Sequence, residues 1–140
     1  MPTTRALIAL ALACGLMLVS LPAPTHAGSA EYGRTWRKDG VLRGGCHEYR
    51  FHYRVRPGKV QPGNDWSAEF FLVDRRGRGV ASDAKDSEID PRRGKGRFGL
   101  CRGATVPGRF KIRGKLSVYD GWALVDVVWL KPGRFRLRRP

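Results

Sequence analysis

The sequence has little acid, few histidines and, after residue 21, no long apolar run. It also lacks a Gly-x-Ser-x-Gly elbow, a His-Glu-x-x-His pair and a glycine-rich phosphate loop ending in Lys and Ser or Thr. Those absences remove the commonest hydrolase, zinc-peptidase and nucleotide-binding signatures. Of the three histidines, His26 falls in the leader described below. His47 and His52, an odd number of positions apart, point to opposite faces of a regular strand and cannot readily share one zinc. No ten-residue stretch spaces its apolar residues for a capped helix. From these absences the chain is expected to be no enzyme and to carry no cofactor and no metal.

Cysteine is scarce as well, at three residues. Cys14 lies in an N-terminal segment that reads as an export signal: Arg5, an uncharged run from Ala6 to Leu21, Pro22 and Pro24, then Thr25-His26-Ala27 as the small-residue site before a cut. The run is shorter than the ~20 apolar residues of a spanning helix. Residues 1–27 are therefore expected to be a signal peptide and residues 28–140 one secreted, extracellular domain. Ala11-Leu12-Ala13-Cys14 loosely resembles a lipobox, but the apolar run continues past Cys14, which argues against lipidation. Cys46 and Cys101 then remain, and in an exported small domain two cysteines most simply pair. The bond would add roughly 4 kcal/mol on the chain-entropy model.

What the chain does have is positive charge. Lys and Arg number 27 against 12 Asp and Glu, a net +15, of which the leader removes only Arg5. Such an excess favours polyanions or anionic surfaces and says nothing about fold. The acids are unevenly spread, and Asp83, Asp86, Glu88 and Asp90 crowd one polar stretch, Ser82 to Lys95, that reads as the longest loop. Calcium takes carboxylate oxygens of this kind. The spacing is not that of an EF-hand, however, and Arg92, Arg93 and Lys95 follow at once, so a solvated, self-neutralising loop is the reading.

Apolar residues alternate in short runs bounded by Gly, Pro and Asp. Tyr49, Phe51, Tyr53 and Val55 alternate with Arg50, His52, Arg54 and Arg56. Trp66, Ala68, Phe70 and Leu72 form a second inward face. Gly-Arg-Phe recurs at 96, 108 and 133, read as a turn glycine followed by an inward phenylalanine. Asp120-Gly121 between two apolar runs predicts a two-residue hairpin. In that register Ile112 faces Trp129 and Lys115 faces Asp126, with Val125, Val127 and Trp129 buried against Phe110, Ile112, Leu116 and Val118. The predicted fold is all-β, an antiparallel two-sheet sandwich of immunoglobulin-like general shape with one disulfide. Cys46, Trp66 and Cys101 follow a Cys–Trp–Cys order, but Gly99 stands where true immunoglobulin domains carry Tyr, so no family is assigned.

The hairpin's first strand sets Arg109, Lys111, Arg113 and Lys115 in a row opposite Phe110 and Ile112. Arg136 and Arg138 give a second basic strand face, and Trp122 offers an aromatic platform. These seven residues are the candidate binding site. The partner would be nucleic acid, a sulfated or phosphorylated polysaccharide, or an anionic membrane surface. The expected function is a non-catalytic extracellular binding module. The alternatives are a structural or protein-interaction domain with incidental charge, and a secreted enzyme of unrecognised type.

Overall fold

The computed structural model describes residues 28–140; the expected leader, with Cys14, lies outside the described residues. Among the described residues the chain is built from nine strands: β1 Ser29–Trp36, β2 Gly40–Val41, β3 Cys46–Val55, β4 Asp65–Val73, β5 Gly79–Asp86, β6 Arg93–Cys101, β7 Gly108–Asp120, β8 Ala123–Lys131 and β9 Gly133–Arg138. A single 3-10 turn, Pro57–Lys59, follows β3. No helix among the described residues is long and apolar enough to cross a membrane.

The all-β expectation holds, with two differences in how the strands connect. Instead of two separate sheets, the ladders join into one path, β5-β4-β7-β8-β1-β3-β6. β9 and β2 branch from the other half of β7. The pairing is also not wholly antiparallel, since β1 runs parallel to β8 and β2 to β9. The long β7 is responsible: its first half pairs with β9 and its second with β8, so one edge serves two partners. The sheet curls until β5 approaches β6, where the Arg97 backbone N–H donates to Asp83 Oδ2 at 2.9 Å.

The curl encloses the apolar faces read from the sequence. Tyr49, Phe51, Tyr53 and Val55 are all buried, as are Trp66, Ala68, Phe70 and Leu72. Phe51 stacks on Phe98 at 4.4 Å between centroids and meets Phe70 edge-on at 5.2 Å. Opposite Phe51 stands Gly96, where a Cβ would lie 2.2 Å from the ring, so the glycine is required by the aromatic that covers it. The other two Gly-Arg-Phe glycines, Gly108 and Gly133, open β7 and β9, and all three phenylalanines are buried.

Cys46 and Cys101 are bonded, with S–S 2.06 Å. They are direct partners at the first position of β3 and the last of β6, so the disulfide ties strand ends at the rim of the core. Reducing it in the folded protein is expected to lower the unfolding free energy by about 4 kcal/mol. A denaturant midpoint that does not move on reduction would contradict this.

The hairpin forms, but in another register. Asp120 pairs with Ala123, so Gly121 and Trp122 are the loop. Asp120-Gly121 as the loop would need positive φ at Asp120, whereas only Gly121 adopts it, at 56°. An extra residue at Val125 then shifts the ladder again, and Leu116 faces Val128 while Lys115 faces Trp129. Ile112 is opposite Gly133 of β9 instead of Trp129. The parity of β8 is thereby reversed. Val128 and Leu130 face the core side, Val125 and Val127 are exposed, and Trp129 is half-buried on the outer face. β8 is apolar on both parities, so its pattern could not pin the register.

The loop expected from Ser82 to Lys95 is also corrected. Its ends belong to β5 and β6, leaving a short turn. β5 pairs on its ladder edge only with β4, and a polar, charged sequence suits such an edge. Its acids are committed locally. Asp86 Oδ1 accepts from the Glu88 and Ile89 amides, and Lys85 lies 3.8 Å from Asp83 and 3.6 Å from Asp90.

Candidate polyanion-binding face

Outward positions of four adjacent strands carry a continuous row of cations. Lys131 of β8 pairs with Arg34 of β1, Arg34 with Arg54 of β3, and Arg54 with Arg93 of β6. All four are exposed. At about 4.8 Å per strand the row spans roughly 14 Å. Among the described residues, no carboxylate forms an ion pair with any of them. Unit charges at that spacing repel by about 0.9 kcal/mol in water before salt screening, so the row is tolerable but is not a stabilising device.

Local structure fixes this row. Gly33 has φ 134°, and a Cβ there would lie 2.0 Å from the Arg54 carbonyl oxygen. Only glycine lets β1 approach β3 this closely, which brings Arg34 level with Arg54. At the other end, the Tyr53 hydroxyl donates to the Pro91 carbonyl at 2.9 Å, fastening the turn that presents Arg92 and Arg93. Burial, followed by the nearby Asp90 and Asp83, pushes the Tyr53 pKa up to about 12, so this donor keeps its proton across the ordinary pH range.

Beside the row, Arg50 and Arg97 are paired, as are His52 and Lys95. Two acids lie here: Glu48 is 3.4 Å from Arg97, and Asp39 lines a cleft with Trp36, Arg50 and His52. His52 stacks on Trp36 at 5.3 Å, and the Arg34 guanidinium lies over the same ring at 5.2 Å. The histidines are thus apart: His47 Nε2 contacts the Gly44 carbonyl, while His52 belongs to the basic face. Arg37 is used internally, between Tyr49 and Phe135, with Nη1 on the Arg50 carbonyl. Burial, first of all, lowers its pKa.

Two basic clefts flank the row. One, of ≈ 360 Å³, is bordered by Lys111, Arg113, Lys131 and Arg134 around Trp129, with the Arg113 guanidinium 4.3 Å above the indole. The other, of ≈ 540 Å³, is bordered by Arg54, Arg56, Lys59, Arg92 and Arg93. No acid lines either one.

The seven residues expected from sequence are distributed unevenly around this geometry. Lys111 and Arg113 enter the first cleft. Arg109 pairs with Arg136, and Lys111 with Arg134, on the adjoining outer face of β7 and β9, while Arg138 lies further along β9 beside Val41. Lys115 is engaged: its Nζ donates to Glu69 Oε2 at 2.8 Å, and Glu69, not Asp126, is its partner. That hydrogen bond is the main reason the Lys115 pKa is raised. The lysine's contribution is therefore fully present below the ordinary lysine value and is lost as pH rises through the raised one. Trp122 is fully exposed at the hairpin tip and lines a different cleft with Tyr119, Asp65, Asp86 and Glu88. The aromatics among the cations are Trp129 and Trp36.

Arg34, Trp36, Arg54, Arg56, Lys59, Arg92, Arg93, Lys131 and Arg134 were not among the expected site residues. One signal was present: the outward parity of β3 also carries cations, Arg50 and Arg54. No family model matches the chain, and no curated protein matches its sequence.

Proposed function

We propose that residues 28–140 form an exported, non-catalytic binding module that holds anionic polymers or surfaces on the outer face of β8, β1, β3 and β6. The observation that carries this reading is the unpaired row Lys131–Arg34–Arg54–Arg93, running across the strands between two acid-free basic clefts. Like charges placed directly opposite one another on neighbouring strands oppose folding. Three successive pairs with no carboxylate partner are accounted for by a ligand that neutralises them. Release of counterions from the polymer would then drive association. The candidate leader and the Cys46–Cys101 bond support an extracellular setting, and Arg113 over Trp129 holds one guanidinium in place on the cleft rim.

Titrating the mature domain with a long sulfated polymer at several salt concentrations tests the reading. Four neutralised anionic groups predict a log–log slope on the order of −3. Binding that does not respond to salt, or no binding to any polyanion, would remove it.

The second reading, a protein-interaction domain, is favoured by one observation. Leu124, Val125 and Val127 are exposed along the part of β8 that β1 does not reach, next to Trp122. An exposed strand edge of this kind is a template for pairing with another chain.

A further inference from the structure

The polyanion reading leaves the polymer's chemistry open, and the shape of the face narrows it. We infer that the ligand is a linear, flexible polysaccharide carrying sulfate or phosphate esters, laid across the strands so that it occupies both basic clefts at once. The inference rests on the binding face proposed above.

Connectivity is the first argument. Lys131 borders one cleft and Arg54 and Arg93 border the other, with Arg34 between them, so the cationic path from cleft to cleft is continuous. A chain long enough to span the row engages the second cleft as an intramolecular event, at high effective concentration.

Curvature is the second. The sheet closes on its core until β5 meets β6, so its outer face is convex. Duplex DNA stays straight over far more than the width of this domain, its persistence length being about 50 nm. It would touch a convex face along a short line and leave one cleft empty, whereas a flexible chain follows the surface.

The third argument concerns the aromatics. Proteins that hold single-stranded nucleic acid offer open rings on which bases stack. Here Trp36 is occupied by His52 on stacking and by Arg34 above it, and Trp129 lies beneath Arg113. The rings position guanidinium groups instead of receiving bases. Arginine, which predominates over lysine in the chain, presents a planar fork that matches ester sulfate and phosphate oxygens with two parallel hydrogen bonds.

Calorimetry with size-graded heparin fragments, from disaccharide to dodecasaccharide, tests this, with phosphomannan fragments of matched length separating sulfate from phosphate esters. The expected result is a step in affinity of roughly a hundredfold once a fragment reaches both clefts. Lys131→Glu with Arg134→Glu should abolish the step, and so should Arg92→Glu with Arg93→Glu. Disaccharide binding at the untouched cleft should survive in each. Glutamine at the same positions provides a milder pair should either glutamate variant fold poorly. A smooth rise with length, or a step sensitive to only one cleft, would overturn the bridging inference while leaving the polyanion reading intact. Single-stranded DNA of equal charge binding as tightly as the long fragments would overturn the choice of polymer. No binding at any length would defeat the polyanion reading itself.

Discussion

Replacing Arg34 and Arg54 together by glutamate is expected to weaken binding to a long sulfated polymer by about a hundredfold and to flatten its salt dependence. The estimate follows from two charge-assisted hydrogen bonds at roughly 1.5 kcal/mol each, where 1.4 kcal/mol is a factor of ten. Both residues are exposed, and among the described residues neither forms an ion pair. The folded state loses the Arg34 contact with Trp36, worth roughly 0.5–1 kcal/mol. It is relieved of repulsion from Lys131 and Arg93, so the melting temperature should scarcely move. The control is Arg75→Glu with Arg76→Glu, in the turn between β4 and β5, which changes net charge equally outside the row and both clefts. If the control weakens binding as much as the central pair does, net charge alone governs association and the face has no special role.

The second large effect concerns the scaffold beneath the face. Phe51→Ala is expected to cost about 3–5 kcal/mol, the range for removing a buried aromatic. The side chain is fully buried, stacked on Phe98, edge-on to Phe70, and lies over Gly96, which has no side chain to fill the space left behind. Against a typical domain stability of 5–15 kcal/mol this is a large fraction. Guanidinium unfolding monitored by fluorescence measures it, and a loss under about 1 kcal/mol would show that the cavity collapses. Arg50 and His52 flank Phe51 on the opposite surface of β3, so loosening this core position should also weaken polymer binding, by less than reversal of the row does.

The inward faces of β3 and β4 were legible because their alternation is strict: an apolar residue at every second position leaves one register that buries them. The pairing of Cys46 with Cys101 followed from cysteine number. The outward direction of Lys111 and Arg113 was equally legible, since Phe110 and Ile112 must face in. Other elements resisted. β5 from Ser82 onward reads as a loop because an edge strand half open to water needs little apolar sequence. β8 reads in the wrong register because its two faces are about equally apolar, and the turn's φ requirement and an extra residue at Val125 decided the outcome.

The site divides the same way. Sequence by itself determined that the chain is strongly basic, that its strands alternate, and that cations occupy the outward positions of β3 and β7. It could not determine that Arg34, Arg54, Arg93 and Lys131 stand side by side. Neighbours along a strand are set by the covalent chain, and their period of two is visible in any short stretch. Neighbours across a sheet are set by which strands pair and in what register. Here those pairings depend on Gly33 admitting a close backbone approach, on β7 being shared between β8 and β9, and on β1 running parallel to β8. Only the tertiary structure supplies those long-range hydrogen bonds, and they gather four residues scattered along the chain into one row.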